Sequence, residues 1–316
     1  MEMLHVRLVT PSDLTPRVLA LLTGDEHVFN LLVLPGAVRQ PEGDAIECDV
    51  LVGAADTVLR GLRELGPEHR GSVVIERAEL AFSGAAARAE RRLGVLAHAP
   101  VWEEVEARIR AEGAYPPSFY VYLVIAGVLA AVGILTNSQI LIVAAMVVGP
   151  EYGAITSVAL AIDHWNSARI RQGLVALFVG FSLAVLATLL FSLAIRGLHR
   201  EPKAYKLGLR PVSSLIDAPN FFSVVVAVLA GIVGIMSLTQ ARSSALLGVF
   251  ISVTTIPAAA DIGVSLAFSS WSEARGSFYQ LLLNVALLIV VGVLMLRFQR
   301  AVWRRVRRRF GRVPDG

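Results

Sequence analysis

Gln139–Ile162 reads QILIVAAMVVGPEYGAITSVALAI, and its reading decides the fold. The run is long and apolar enough to cross a bilayer, which takes about 20 such residues. Its middle, Gly149-Pro150-Glu151-Tyr152-Gly153, does not suit a plain anchor. Pro150 removes a backbone donor and clashes with the preceding turn. The two glycines loosen the chain at the same place. Glu151 puts a carboxylate where an unpaired charge is costly. Irregular backbone at membrane depth persists only where protein buries it or water reaches it. The stretch therefore reads as a site or pathway near the membrane middle, with Gly149, Pro150, Glu151 and Gly153 as candidates for binding a substrate or ion. The alternative is a packing kink, with Glu151 protonated or paired inside the bundle.

Working outward, 55% of the 316 residues are hydrophobic, and the mean hydropathy is +0.64. Nearly all the long apolar runs follow Pro116-Pro117, while the first third has the composition of a soluble domain. Six apolar segments are expected as spans: Phe119–Leu135, Ile140–Ile162, Leu174–Ile195, Phe221–Leu238, Ala245–Phe268 and Phe278–Leu296. The arginine-rich tail, RFQRAVWRRVRRRFGR from Arg297, reads as a cytoplasmic stop against anionic lipid rather than as a nucleic-acid site. MEMLHVRLVT carries no basic flank and no apolar run of a secretory signal, so the first domain is expected in the cytoplasm. Six crossings then return the tail to the same side. They place the basic stretch Arg196–Arg210 outside, against the charge rule.

The first domain alternates strand and helix patterns. Leu4–Thr10 reads as a strand, followed by a helix to Leu22 that Ser12 or Asp13 would cap. Val28–Pro35 and Asp44–Val52 read as strands, Ala55–Leu65 as a helix with Val58, Leu59, Leu62 and Leu65 on one face, and Gly71–Glu76 as a last strand. This β-α-β-β-α-β order predicts a small α+β ferredoxin-like domain over residues 1–78. His5, His27 and His69 are dispersed, no phosphate-binding glycine loop occurs, and Cys48 is the only cysteine, so neither a metal site nor a catalytic set is expected. Residues 79–117 read as an amphipathic helical connector, with Val101, Trp102, Val105 and Ile109 at helical spacing.

The membrane domain, residues 118–298, shows internal similarity. Gly133-Ile134-Leu135-Thr136-Asn137-Ser138-Gln139 corresponds to Gly234-Ile235-Met236-Ser237-Leu238-Thr239-Gln240, and Trp165-Asn166-Ser167-Ala168-Arg169 to Trp271-Ser272-Glu273-Ala274-Arg275. Pro150 and Pro257 precede their tryptophans by similar distances. Two copies, about 119–195 and 221–296, would each cross three times, so the second would be inverted. Inverted repeats with broken helices place a site near the midplane in secondary transporters. The second break, TTIPAAAD, adds Thr254, Thr255, Pro257 and Asp261 as candidate ligands. The alternative there is a proline kink with Asp261 near a wet helix end.

Gly133–Ser138, the apolar run Ile140–Val148 with Met146, and Gly149–Ile155 together resemble a family of hydrophobic-domain bacterial membrane proteins known as domain of unknown function 389. Thr255-Ile256-Pro257-Ala258 is similar to a weakened LPP-type motif of that family, whereas Glu151 replaces a usually apolar residue. The resemblance implies a multi-span protein of the bacterial cytoplasmic membrane with a small cytoplasmic domain. The expectation is a non-enzymatic transporter or channel for a small solute or ion, coupled to H⁺ or Na⁺, without a cofactor, and assembled in the lipid bilayer as a homo-oligomer, with a dimer the first guess. No nucleic-acid partner is expected. The rival is a membrane-tethered ligand sensor or oligomeric scaffold. A third reading, aspartyl chemistry between Asp163 and Asp261, requires the two to meet at one depth.

Overall fold

The computed structural model describes residues 2–78, 83–202, 213–216, 220–239 and 255–310. Of the positions singled out above, Thr254, Gln240, Lys203, Lys206 and Arg210 lie outside the described residues. The chain divides into two compact units, Met1–Val105 with Ala301–Gly316, and Glu106–Arg300.

The first unit has the expected element order: β1 (Met3–Thr10), α1 (Thr15–Thr23), β2 (Val28–Arg39), β3 (Glu42–Leu51), α2 (Val52–Leu65) and β4 (Ser72–Ala78). The strands pair antiparallel in the order β2-β3-β1-β4, the split-βαβ arrangement. Alternation sets the core. Leu4, Val6 and Leu8 of β1 and Ile46, Cys48 and Val50 of β3 point to one face, where they meet Val18 and Leu22 of α1 and Val58, Leu59 and Leu62 of α2. Two details differ from expectation. Neither Ser12 nor Asp13 caps α1, which starts at Thr15 after a turn closed by Leu14 N–H on the Pro11 carbonyl. Asp13 instead pairs with Arg70 at the surface (2.9 Å). Val52, expected as the end of a strand, begins α2.

Thr15 has another use. Its hydroxyl bonds Thr10 (2.7 Å) and donates to Asp44 (2.7 Å), which also accepts the Gly36 N–H (2.7 Å). These donors hold the Asp44 carboxyl below its usual range. Further on, α3 (Gly84–Leu93) buries Ala86 and Ala89 against Met3 and Leu51, and Val101 enters the main core ahead of α4 (Trp102–Glu112).

Cys48 is 1% exposed, and burial together with the neighbouring Asp49 pushes its thiol up to about 11. At pH 8 roughly one thiol in a thousand is then ionised, and the thiolate is the reactive form. Labelling of the native protein by a disulfide reagent at pH 8 is expected to be at least about a hundredfold slower than after unfolding. Equal rates would show that the β3 core face opens readily.

The second unit is helical: α5 (Pro117–Thr136), α6 (Gln139–Val148), α7 (Glu151–Asp163), α8 (Ser167–Gly197), α9 (Ser213–Ile216), α10 (Phe221–Thr239), α11 (Ile256–Ala267) and α12 (Trp271–Phe310), whose residues from Ala301 on belong to the first unit. Among the described residues four helices, α5, α8, α10 and α12, are long and apolar enough to cross a membrane. The pair α6 and α7 makes a fifth if counted as one span bent by 51°. The expected six is not reached, because the twelve residues of α11 rise only about 18 Å and the first part of the expected fifth segment lies outside the described residues.

Local chemistry explains the breaks. Asn137 takes a left-handed conformation (φ 55°) that closes α5, and Ser138 accepts the Leu141 N–H to start α6. α6 stops at Gly149, and Pro150 stands as the N-cap of α7. Small residues then let the helices close up. A Cβ on Gly127 of α5 would lie 3.2 Å from Ala184 of α8, and one on Gly231 of α10 would lie 2.9 Å from Val291 of α12.

Candidate functional site

Both half-helices, α7 and α11, are registered against α8. α7 ends where α8 begins, and Val158 sits on Gly173. α7 therefore runs antiparallel to α8. Further along α8, Val185, Thr188 and Leu189 enclose Gly263 of α11. At the end of α8, Arg196 Nη1 donates to the Ala267 carbonyl (2.6 Å), and its guanidinium lies 5.9 Å from the centre of the Phe268 ring. α11 thus runs parallel to α8. From Val158 to Glu151 and from Gly263 to Thr255 is roughly 11 Å of helix rise each way. Both helix starts arrive at the level of Gly180, near the middle of α8.

There they touch. Thr255 Oγ1 donates to Glu151 Oε1 (2.9 Å), and both residues are fully buried. The approach needs a glycine at 149, because a Cβ there would stand 2.9 Å from Ile256 Cγ1. Tyr152 fixes the start of α7 by donating from its hydroxyl to the Gly234 carbonyl of α10 (2.8 Å). Neither half-helix has a side-chain cap. Each helix start carries about half a positive charge, so two meeting head to head balance about one carboxylate. Glu151 is the acidic residue at that junction.

Asp261 lies one and a half turns into α11, about 9 Å from Thr255. It is fully buried and accepts hydroxyls from Ser213 of α9 (2.6 Å) and Ser277 of α12 (2.6 Å), with Ser265 one turn further along α11 at 3.4 Å. A carboxylate ringed by hydroxyls is a hard, all-oxygen group suited to a small cation or a proton. The fully buried Thr188 and Ser192 of α8 carry further hydroxyls on the side of that helix nearer its C-terminus. On α12 the Gln280 amide donates to Asn284 Oδ1 (3.2 Å). Among the described residues no cluster of three or more His, Cys, Asp or Glu could hold a metal ion.

The candidates divide accordingly. Gly149, Pro150, Glu151, Thr255 and Pro257 come together at the meeting point, and Asp261 forms its own cluster nearby. Gly153 does not line the site: a Cβ there would lie 2.8 Å from the Glu112 carbonyl, so its absence admits the end of α4. Asp163 and Asp261 are not brought together. Asp163 closes the far end of α7, paired with Arg297 (2.9 Å) and Arg300, and the two half-helices separate the acids by more than about 20 Å. The serines around Asp261 were missed in the sequence. Only Ser265, one helical turn on, carried a local signal.

Residues 146–290 match the family model described as Domain of unknown function (DUF389). The matched span runs from Met146 of α6 into α12 and contains both half-helices and both buried carboxylates. No curated protein and no solved structure matches the chain significantly.

Proposed function

We propose that this protein is a transporter, or a channel, for a small solute or ion. The solute would be held where α7 and α11 meet, and a proton or Na⁺ would occupy the Asp261 cluster. The observation that carries this reading is the head-to-head contact of two half-helices near the middle of α8, with Glu151 and Thr255 bonded across it. Broken helices meeting at mid-depth are how secondary transporters supply polar groups inside a membrane.

An inverted repeat and six crossings belong to the same reading. α7 ends with His164, Trp165 and Asn166 N–H groups on the Leu160, Ile162 and Ala161 carbonyls. α11 ends with Phe268, Ser269 and Ser270 on Val264, Leu266 and Ser265 in the same order. Trp165 (φ 54°) and Ser269 (φ 63°) take the same left-handed turn. In this correspondence Glu151 matches Thr255, while Trp165 matches Ser269 rather than Trp271. Thr239 at the end of α10 bonds Gln299 (3.1 Å), near the Arg297 and Arg300 pairs of Asp163. Ala267 lies by Arg196, at the other end of the bundle. Thr239 and Ala267 therefore stand at opposite ends of the bundle, which supports a sixth crossing. The arginine-rich end of α12 favours the Asp163 side as cytoplasmic. The N-terminal domain would regulate or dimerise the protein.

The test is flux into proteoliposomes under imposed H⁺ and Na⁺ gradients. Glu151→Gln is expected to lower flux about tenfold or more, the weight of one charge-assisted hydrogen bond. Flux that survives the change unaltered would remove Glu151 from the pathway. No flux under any gradient would transfer the function to a membrane-tethered sensor or scaffold.

A further inference from the structure

α12 carries three polar residues inside an apolar run, Ser277, Gln280 and Asn284. Ser277 and Asn284 are fully buried, and Gln280 is 5% exposed. At spacings of three and four residues they share one face of the helix. Ser277 shows where that face looks, because its hydroxyl donates to Asp261 of α11 (2.6 Å). Leu281 and Leu288, beside the row, share one core with Ile256, Ala258, Ala259 and Ala260 of α11.

Two contacts fix the height of the row. At one end Ser277 stands level with Asp261. Further along, a Cβ on Gly292 would lie 3.1 Å from the Ala159 side chain, which sets Gly292 level with Ala159 of α7. Asn284 precedes Gly292 by about 12 Å of helix rise, and Glu151 precedes Ala159 by the same rise. Counted from the other end, Asn284 is about 10 Å from Ser277 along α12, and Thr255 is about 9 Å from Asp261 along α11. Both counts bring Asn284 to the level of the Glu151–Thr255 contact, with Gln280 between. The row thus covers the depth that separates the two fully buried carboxylates.

Its chemistry is that of oxygen acceptors. The Gln280 amide nitrogen is engaged with Asn284 Oδ1 (3.2 Å), while no donor among the described residues reaches the buried Gln280 Oε1. A buried carbonyl oxygen in that condition calls for a ligand. A serine hydroxyl that donates to a carboxylate still keeps lone pairs for a cation. Proton relays inside membranes are built from Asp, Glu and His, whereas an amide offers an oxygen but no titratable proton. We propose that the coupling ion is Na⁺ rather than a proton, and that it binds on this row, with the Asp261 carboxylate supplying the charge and Gln280 Oε1 an oxygen ligand. The ion's purpose rests on the transport reading above; its binding does not.

The experiment is a Tm measurement on the full chain in detergent, titrated with NaCl against choline chloride at constant ionic strength and at two pH values. Na⁺ is expected to raise Tm where choline does not. Gln280→Leu, which keeps the size and removes the oxygen, should raise the Na⁺ concentration of half effect about tenfold. Gln280→Glu keeps an oxygen and adds charge, so it should lower that concentration or leave it unchanged. A merely structural role, through the bond to Asn284, would make the two substitutions alike and overturn the proposal. A Tm that follows pH but not Na⁺, or a half-effect concentration unchanged in Gln280→Leu, would overturn it too. If Gln280→Leu does not fold, Gln280→Glu decides, and a weaker Na⁺ response there than in wild type overturns the proposal. Flux in proteoliposomes separates this inference from the wider reading. Flux driven by an H⁺ gradient without Na⁺ would remove the Na⁺ site and keep the transporter, and a Na⁺-raised Tm without flux under any gradient would do the reverse.

Discussion

Gly263→Val is expected to prevent the helical unit from assembling, and Gly263→Ala to weaken it. A Cβ at this position falls on Thr188 Oγ1 and stands 2.7 Å from the Val185 carbonyl and 2.8 Å from the Leu189 nitrogen. Two of these neighbours are backbone and cannot rotate away, so α11 must shift off α8. That shift also pulls on the Arg196–Ala267 bond and on the Thr255–Glu151 contact at the other end of the same short helix. Overpacking of this kind costs about 1–3 kcal/mol for one methyl. The corresponding loss in a chain of this size is about 1–5 °C in Tm, read by size-exclusion chromatography after heating in detergent. Gly197→Ala is the control, since a Cβ there meets nothing within 4 Å. Equal melting of Gly263→Ala and wild type would mean that α11 does not sit against α8 as described.

Asp261→Ala is expected to destabilise more than Asp261→Asn. Alanine leaves the buried Ser213 and Ser277 hydroxyls without their acceptor, at about 1–3 kcal/mol for each buried group left unsatisfied. Asparagine keeps one oxygen for them, and the serine hydroxyls can turn to accept from its amide. Stability and ion response should separate here. Asp261→Asn should hold most of the Tm yet lose any Na⁺- or H⁺-dependent shift of Tm, because the neutral amide no longer balances a cation. A Na⁺-dependent shift that persists in Asp261→Asn would place the ion elsewhere.

The break at Gly149–Gly153 was legible because proline and glycine act through the backbone, whatever the partner. Thr255 and Asp261 were legible as polar residues in an apolar run, where each must find a partner. Their partners were not. Ser213 and Ser277 reach Asp261 from distant segments, and a serine in a membrane helix has no signature of its own. Gly153, three residues past Pro150, reads as backbone freedom, and in the structure it also admits the close approach of Glu112. The N-terminal strands were legible because alternation is read directly from burial on one face. The missing cap at Ser12 and Asp13 reflects competition, since Thr15 and Asp44 form a buried network one turn later.

The seat of α11 has a consequence for biogenesis. Ile256, Ala258, Ala259, Ala260, Ile262 and Val264 share one core with Phe119, Leu123, Ala126 and Ala130 of α5 and with Ala176, Leu177 and Phe181 of α8. The early helices are therefore released from the ribosome around a vacancy that only a later segment fills. Until it arrives, that inner wall must be held by lipid or by an insertion chaperone, and the first half of the bundle cannot mature as a module on its own. A gene split between α8 and α10 would yield two fragments that are each incomplete and recover the fold only when made together.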